Sequence, residues 1–226
     1  ELPGLRARAA LAQRWLNQPA QRWSLIDATG KMVRSEDARQ GTVIECFWSV
    51  ADEPSVRVLR ALGAGRLIVT KAVGGLNPLF VLGDIVAVTD HINLMGDNPL
   101  IGPNDERLGP RFPDMSEPYS RAYIAILEKV ALDVKVALRR GVLVAVAGPN
   151  LETAAEYRFL RRIGADIVGM SMVPETIVAV HSGVKVLGIS VVTDKATPDC
   201  LEPIDIAQIV ATAKAGEVKL SKLVCE

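Results

Sequence analysis

The chain reads as an α/β protein in which a mixed, largely parallel sheet is covered by helices. Three features predict this. Apolar runs of strand length recur along the chain, as in VLVAVA at 142–147. Between them lie segments with apolar residues at helical spacing, such as Ala154, Tyr157, Leu160 and Ile163. One stretch carries the whole alternation: a strand at 142–147, a helix from Thr153 to Gly164, and a second strand at 166–170. Ligands of such strand–helix–strand units gather at the C-terminal ends of the strands. Glu152 stands at one of those ends and Ser171 at the other.

Taken in order, residues 5–16 are rich in Arg, Ala and Leu and predict an amphipathic helix, and WSLI at 23–26 is a short strand. The polar stretch 27–41, with Gly30 and several charges, is expected to be a surface loop. TVIECFW at 42–48 reads as a strand and 55–62 as a helix stopped by Gly63. RLIVT at 66–70 is the next strand, leading into Lys71 and the Gly74-Gly75 pair. Residues 84–91 form another. The Gly-, Pro- and Asn-rich run from there to Pro113 is long for a compact domain, which marks it as functional or interfacial.

Periodicity predicts a helix over most of 116–138. In the central unit, Thr153 and Glu156 have capping-box spacing, and Gly164 is a helix stop. Pro174 suits the first turn of a short helix ending near Gly183. Residues 185–193 make the last strand. Asp205 with Gln208 caps a final helix carrying Ile206, Ile209, Val210, Ala213 and Val218.

Hydrophobic residues are 49% of the 226, ample for a sizeable core. Lys and Arg total 26 against 26 Asp and Glu, which excludes a general electrostatic nucleic-acid binder. The apolar runs fall short of the ~20 residues of a bilayer span, so no membrane insertion is expected. No signal peptide is visible. The expected location is cytoplasmic, with an organellar one after loss of a presequence left open because the chain begins at Glu1. Cys46, Cys200 and Cys225 are odd in number and far apart, which suits a reducing compartment. His91 and His181 lack paired ligand spacing, so no metal site is predicted.

Seven motifs follow one another between residues 64 and 194: GGLNP, GDI, DHINL, NPLIGPND, RFPDMS, AGPNLET and GADIVGMSMVPE. In order and spacing they resemble the trimeric purine nucleoside phosphorylases. The resemblance implies a three-layer α/β/α fold around a central twisted mixed sheet, partly closed into a barrel. It implies one domain over 1–226 whose N-terminal part, about 1–63, is shortened and divergent. The implied reaction is phosphorolysis of a purine nucleoside to free purine and ribose 1-phosphate. Inorganic phosphate is the co-substrate, there is no cofactor, and the assembly is a homotrimer or a mixed trimer.

The resemblance also assigns residues. Glu152 matches a carboxylate that accepts from the N–H and amino groups of the purine, although the helix dipole alone also favours a carboxylate there. Asp194, Thr193 and Val168 match base contacts, Met170 a ribose contact, and Phe112 an aromatic reaching into the neighbouring subunit's ribose pocket. Ser171 and the backbone of Ala72 match phosphate contacts, and His91 and His181 match structural positions.

Several residues depart from the pattern. Asp194 replaces the Asn of the oxopurine branch and must be protonated to donate. The methylthioadenosine phosphorylases place Asp there but lack the Glu seen here as Glu152. Leu151 replaces an aromatic. The family's Gly-Ser-rich phosphate loop has no counterpart near residues 27–30, and ECFWSVAD at 45–52 has neither the expected Arg nor the His. Lys71 replaces an Asn and is the one new cation beside a retained phosphate motif, with a solvated strand-end Lys as its plainer reading. Two functions follow. One is a purine nucleoside phosphorylase with weakened phosphate binding; the other is a non-catalytic homologue serving as a structural or interaction subunit. A Rossmann dinucleotide binder is disfavoured because no GxGxxG follows the first strand.

Overall fold

The computed structural model describes residues 24–26, 32–34, 64–198, 201, 203 and 205–224. The elements expected at 5–16, 42–48 and 55–62, the ECFWSVAD stretch and the three cysteines lie outside the described residues. Two short strands, β1 (Ser24–Ile26) and β2 (Met32–Arg34), pair antiparallel with Ser24 opposite Arg34. β2 falls where the sequence suggested only a polar loop. A strand partner satisfies its backbone groups, and that outweighs the polar composition of the stretch.

Five strands close into a barrel. They are β3 (Arg66–Gly75), β4 (Ile85–Leu94), β5 (Leu138–Val146), β6 (Ile167–Gly169) and β7 (Lys185–Lys195), in the order β3-β6-β5-β4-β7. β3 with β7, β4 with β5 and β5 with β6 are parallel, while β3 with β6 and β4 with β7 are antiparallel. The sheet is therefore mixed and largely parallel, as the alternation of elements predicted. Among the described residues four helices flank it: α1 (Arg121–Asp133), α2 (Ala154–Arg162), α3 (Val173–His181) and α4 (Ile206–Val224).

Two boundaries differ from the sequence reading. β3 does not stop at Thr70 but continues to Gly75, because Lys71 through Gly75 stay in register with β7, across a bulge between Val73 and Gly74. The helix expected over most of 116–138 is confined to α1. Beyond it Val134, Val136 and Leu138 keep packing on the core at a spacing of two, and Leu138 already pairs with Ile85 of β4. Two apolar periods overlap here, and strand pairing decides the second.

The main core lies between the barrel and helices α1, α3 and α4; Ile85, Val86, Ala87 and Val88 of β4 are wholly buried in succession, as in a strand covered on both faces. A smaller cluster under α2 joins Leu76, Val144, Tyr157, Leu160, Ala165, Val168 and Ala196. Asp166 ties this region together: its side chain accepts from Asn77 Nδ2 at 2.8 Å and from the Val142 amide at 2.9 Å. The loop after β3 and strand β5 are thereby held to the start of β6.

Candidate active site

The site is built where β3, β6 and β7 meet. Gly74 pairs with Val168 on one side and with Asp194 on the other. A Cβ on Gly74 would stand 2.9 Å from Asp194 Oδ2 and 3.0 Å from Val168 Cγ1. The bare glycine thus lets two predicted base contacts converge on one spot. Thr193 Oγ1 donates to Asp194 Oδ1 at 3.1 Å and also lies 3.4 Å from the Val73 carbonyl. Burial raises the Asp194 carboxyl above its usual 3.8, partly offset by the Thr193 hydroxyl. Asp194 is therefore displaced toward the neutral form that can donate a hydrogen bond.

Glu152 enters from the loop between β5 and α2. That loop begins at Gly148, whose φ is +65° and whose peptide to Pro149 is cis. A Cβ on Gly148 would collide with the Met170 thioether, so this turn and the residue after β6 are packed together. The loop ends in the expected capping box. The Glu156 amide donates to Thr153 Oγ1 at 3.3 Å, and the Thr153 amide donates to Glu156 Oε2 at 2.7 Å. One turn further on, the phenol of Tyr157 is pushed up by burial and then by the negative charge of Glu152, to which it is hydrogen-bonded; Asp194 adds to the effect. Sequence periodicity placed Tyr157 only on the apolar face of its helix, and its hydroxyl went unread.

β6 carries the chain out through Met170 to Ser171, which is partly exposed. Across from it on β3, the Lys71 side chain runs over Gly169: a Cβ there would lie 2.5 Å from Lys71 Cε and 2.7 Å from Nζ. Burial lowers the Lys71 ammonium from 10.5 to about 8, with the charge of Glu175 on α3 acting the other way. Ala72, the next residue, is exposed and pairs with Val191. Lys71 is thus not the solvated strand-end lysine of the plainer reading. The signals for this were a glycine inside a strand and an acidic residue in the first turn of α3, neither of which sequence reasoning used.

Phe112 is not gathered in. Its ring is 85% exposed and lies under the Arg111 guanidinium at 5.7 Å. Leu151 is half-exposed beside Glu152. The two histidines sit in structural contacts. His91 Nδ1 lies 3.3 Å from the hydroxyl of buried Tyr119, and His181 Nε2 lies 3.2 Å from Asn104 Oδ1. Among the described residues, no three His, Cys, Asp or Glu side chains are grouped to hold a metal ion, and no helix is long and apolar enough to cross a membrane.

Comparison with known proteins identifies the family and the fold. The phosphorylase superfamily matches residues 54–226. Purine nucleoside phosphorylase 1 of Bacillus subtilis is 49% identical over 172 residues, covering 75% of this chain and 64% of that protein. A crystal structure of isoform 2 of purine nucleoside phosphorylase from Schistosoma mansoni, in complex with cytosine and ribose-1-phosphate, superposes with a TM-score of 0.73 at 34% identity. It covers 76% of this chain and 62% of that one. A Schistosoma purine nucleoside phosphorylase in complex with hypoxanthine gives 0.72 at 36% identity, over 76% and 65%. The chain spans just under two thirds of the length of each of these relatives. Together with the barrel and the ordered motifs, this makes the chain a member of the phosphorylase superfamily, within the purine nucleoside phosphorylase family.

Proposed function

We propose that the protein carries out phosphorolysis of purine nucleosides, giving free purine and ribose 1-phosphate, with inorganic phosphate as co-substrate and no cofactor. The observation that carries this reading is the convergence of Asp194 and Val168 on Gly74, with Lys71 reaching over Gly169 just before Met170 and Ser171. In the reaction the departing purine gathers negative charge and the ribose becomes cationic. Donors are needed at the base and an anion beneath the sugar. Glu152 accepts from the purine's N–H edge, and Asp194 in its neutral form donates to the ring. Met170 lies against the ribose. The Ser171 hydroxyl, the Ala72 amide and the Lys71 ammonium hold the phosphate.

Among the described residues Lys71 is the one cation assigned to the phosphate, a thin complement for a divalent oxyanion, so weak phosphate affinity and slow turnover are expected. The same reading gives the exposed Phe112 ring to a neighbouring subunit's ribose pocket and makes the assembly a homotrimer, which light scattering tests.

The decisive experiment incubates the intact chain with inosine, guanosine or adenosine, with and without phosphate, and follows release of base and ribose 1-phosphate. Phosphate-dependent release is expected for at least one nucleoside. No such release from any of them overturns the reading and leaves the structural-subunit alternative. Glu152→Ala should weaken purine binding roughly ten- to hundredfold, from the ~1.5–3 kcal/mol of a hydrogen bond to a charged group. Unchanged affinity removes Glu152 from the site.

A further inference from the structure

Close to the turn at Met170 and Ser171, several buried polar groups are left without partners. Lys71 Nζ and Glu175 Oε2 are both shut off from solvent, and neither makes a hydrogen bond. The same is true of Ser190 Oγ, on the β7 residue paired directly with Lys71. Directly paired strand residues project to the same face, so the serine hydroxyl and the lysine stem are neighbours. The two charges sense one another, since Glu175 is what pulls the lysine back toward its protonated form. Yet the close ion pairs among the described residues are Arg107–Asp105, Arg139–Asp84 and Arg140–Glu128, and Lys71–Glu175 is not one of them. Glu175 also feels a second buried group, the Tyr119 phenol, whose ionisation its charge helps to suppress.

Buried charges are ordinarily paired and fully hydrogen-bonded. A buried ammonium and a buried carboxylate that sense one another yet make no hydrogen bond form an incomplete arrangement, which a third group could complete. The lysine reaches this place only because residue 169 is a glycine. Two residues beyond it comes Ser171, no more than ~7 Å along an extended chain.

We propose that Glu175 is the resident counter-anion of Lys71 and that inorganic phosphate competes with it for the ammonium, so that Glu175 sets the affinity of the phosphate subsite. This rests on the reading that phosphate is held by Lys71, Ser171 and Ala72. With phosphate absent, the charge of Glu175 compensates the lysine and favours its protonated form despite burial. When phosphate arrives, the ammonium turns to an anion of greater charge, and the carboxylate is left facing like charge. Phosphate binding therefore works against Glu175, and this sets the chain apart from a site built on an uncompensated cation. The arrangement also lets a buried lysine exist without phosphate, which a lone ammonium there could not do cheaply.

The test is titration of the intact chain with inorganic phosphate at pH 7 by calorimetry, on the wild type, Glu175→Gln, Lys71→Met and the double variant, with a melting curve for each. Glu175→Gln should bind phosphate about five- to fiftyfold more tightly, the ordinary range of coupling between two sites. Lys71→Met should lose most of the affinity, and the gain from Glu175→Gln should vanish in its background. If Lys71→Met binds phosphate as the wild type does, or if no variant binds it, the assignment of Lys71 to phosphate fails. If Lys71→Met weakens binding but Glu175→Gln leaves it unchanged or weaker, Lys71 keeps its role and the competition is wrong. Should Glu175→Gln not fold, Glu175→Asp withdraws the charge by one methylene; it should tighten phosphate by a smaller factor, and unchanged or weaker binding overturns the proposal equally.

Discussion

The Lys71 ammonium lies directly over Gly169, 2.7 Å from where a Cβ would stand. The two residues belong to β3 and β6, and nothing but a hydrogen atom on residue 169 leaves the lysine its path. Gly169→Ala should therefore move the lysine head and little else, because the atoms in the way are the far end of a flexible side chain. A destabilisation of about 1 kcal/mol is expected, at the low end for overpacking. Phosphate affinity should fall much further, approaching that of Lys71→Met. A melting curve and a phosphate titration on the same sample check this; intact phosphate binding would sink the idea that the lysine's position matters.

Lys71 also gives a pH signature. Its folded pKa is about 8 against an unfolded 10.5, so between those values the unfolded chain binds more protons. Stability relative to Lys71→Met should accordingly rise as pH goes from about 8 to 10.5, since the cost of burying the ammonium disappears on deprotonation. Phosphate affinity should fall over the same range, because the ligand needs the charged form. Denaturant midpoints for the two proteins across that range give the sign of the difference. A flat difference would mean that the lysine is neither buried nor charged as described.

Asp194 predicts the opposite trend at acid pH. Its folded pKa is raised by burial, so its stabilising share is complete below the usual 3.8 and is lost as pH rises through the folded value. Asp194→Asn cannot ionise and should gain on the wild type as pH rises above 3.8, measured as a difference in melting temperature. It should also shift nucleoside preference toward 6-oxopurines, because an amide donates at every pH. Unaltered selectivity between inosine and adenosine would separate Asp194 from the base.

Thr153→Ala breaks the capping box at the start of α2. Loss of the cap costs about 1 kcal/mol. Glu152 is the residue immediately before the cap, so its carboxylate should lose orientation as well, and KM for nucleoside should rise more than the stability loss alone accounts for. Steady-state kinetics beside a melting curve distinguish the two; a KM unchanged within error would limit Thr153 to capping.

The features that were plain in the sequence are those set by near neighbours. The capping box of Thr153 and Glu156, the stop at Gly164 with φ +101°, and Pro174 in the first turn of α3 all depend on residues a few positions apart. Where two such local signals overlapped, at Val134, Val136 and Leu138, the tertiary pairing of Leu138 with Ile85 chose between helix and strand. The motifs likewise marked Glu152, Ser171 and Asp194 as chain positions beside strand ends. What no local pattern holds is which positions meet. Gly74 stands between Val168 and Asp194, Lys71 crosses Gly169 toward Glu175, and Tyr157 turns its hydroxyl to Glu152 and the charge of Asp194. The meetings at Gly74 and Gly169, and the reach of the Asp194 charge to Tyr157, depend on closure of the barrel and its helices, which brings together residues far apart in the chain. The burial that follows decides that Lys71 and Asp194 are not ordinary solvated side chains.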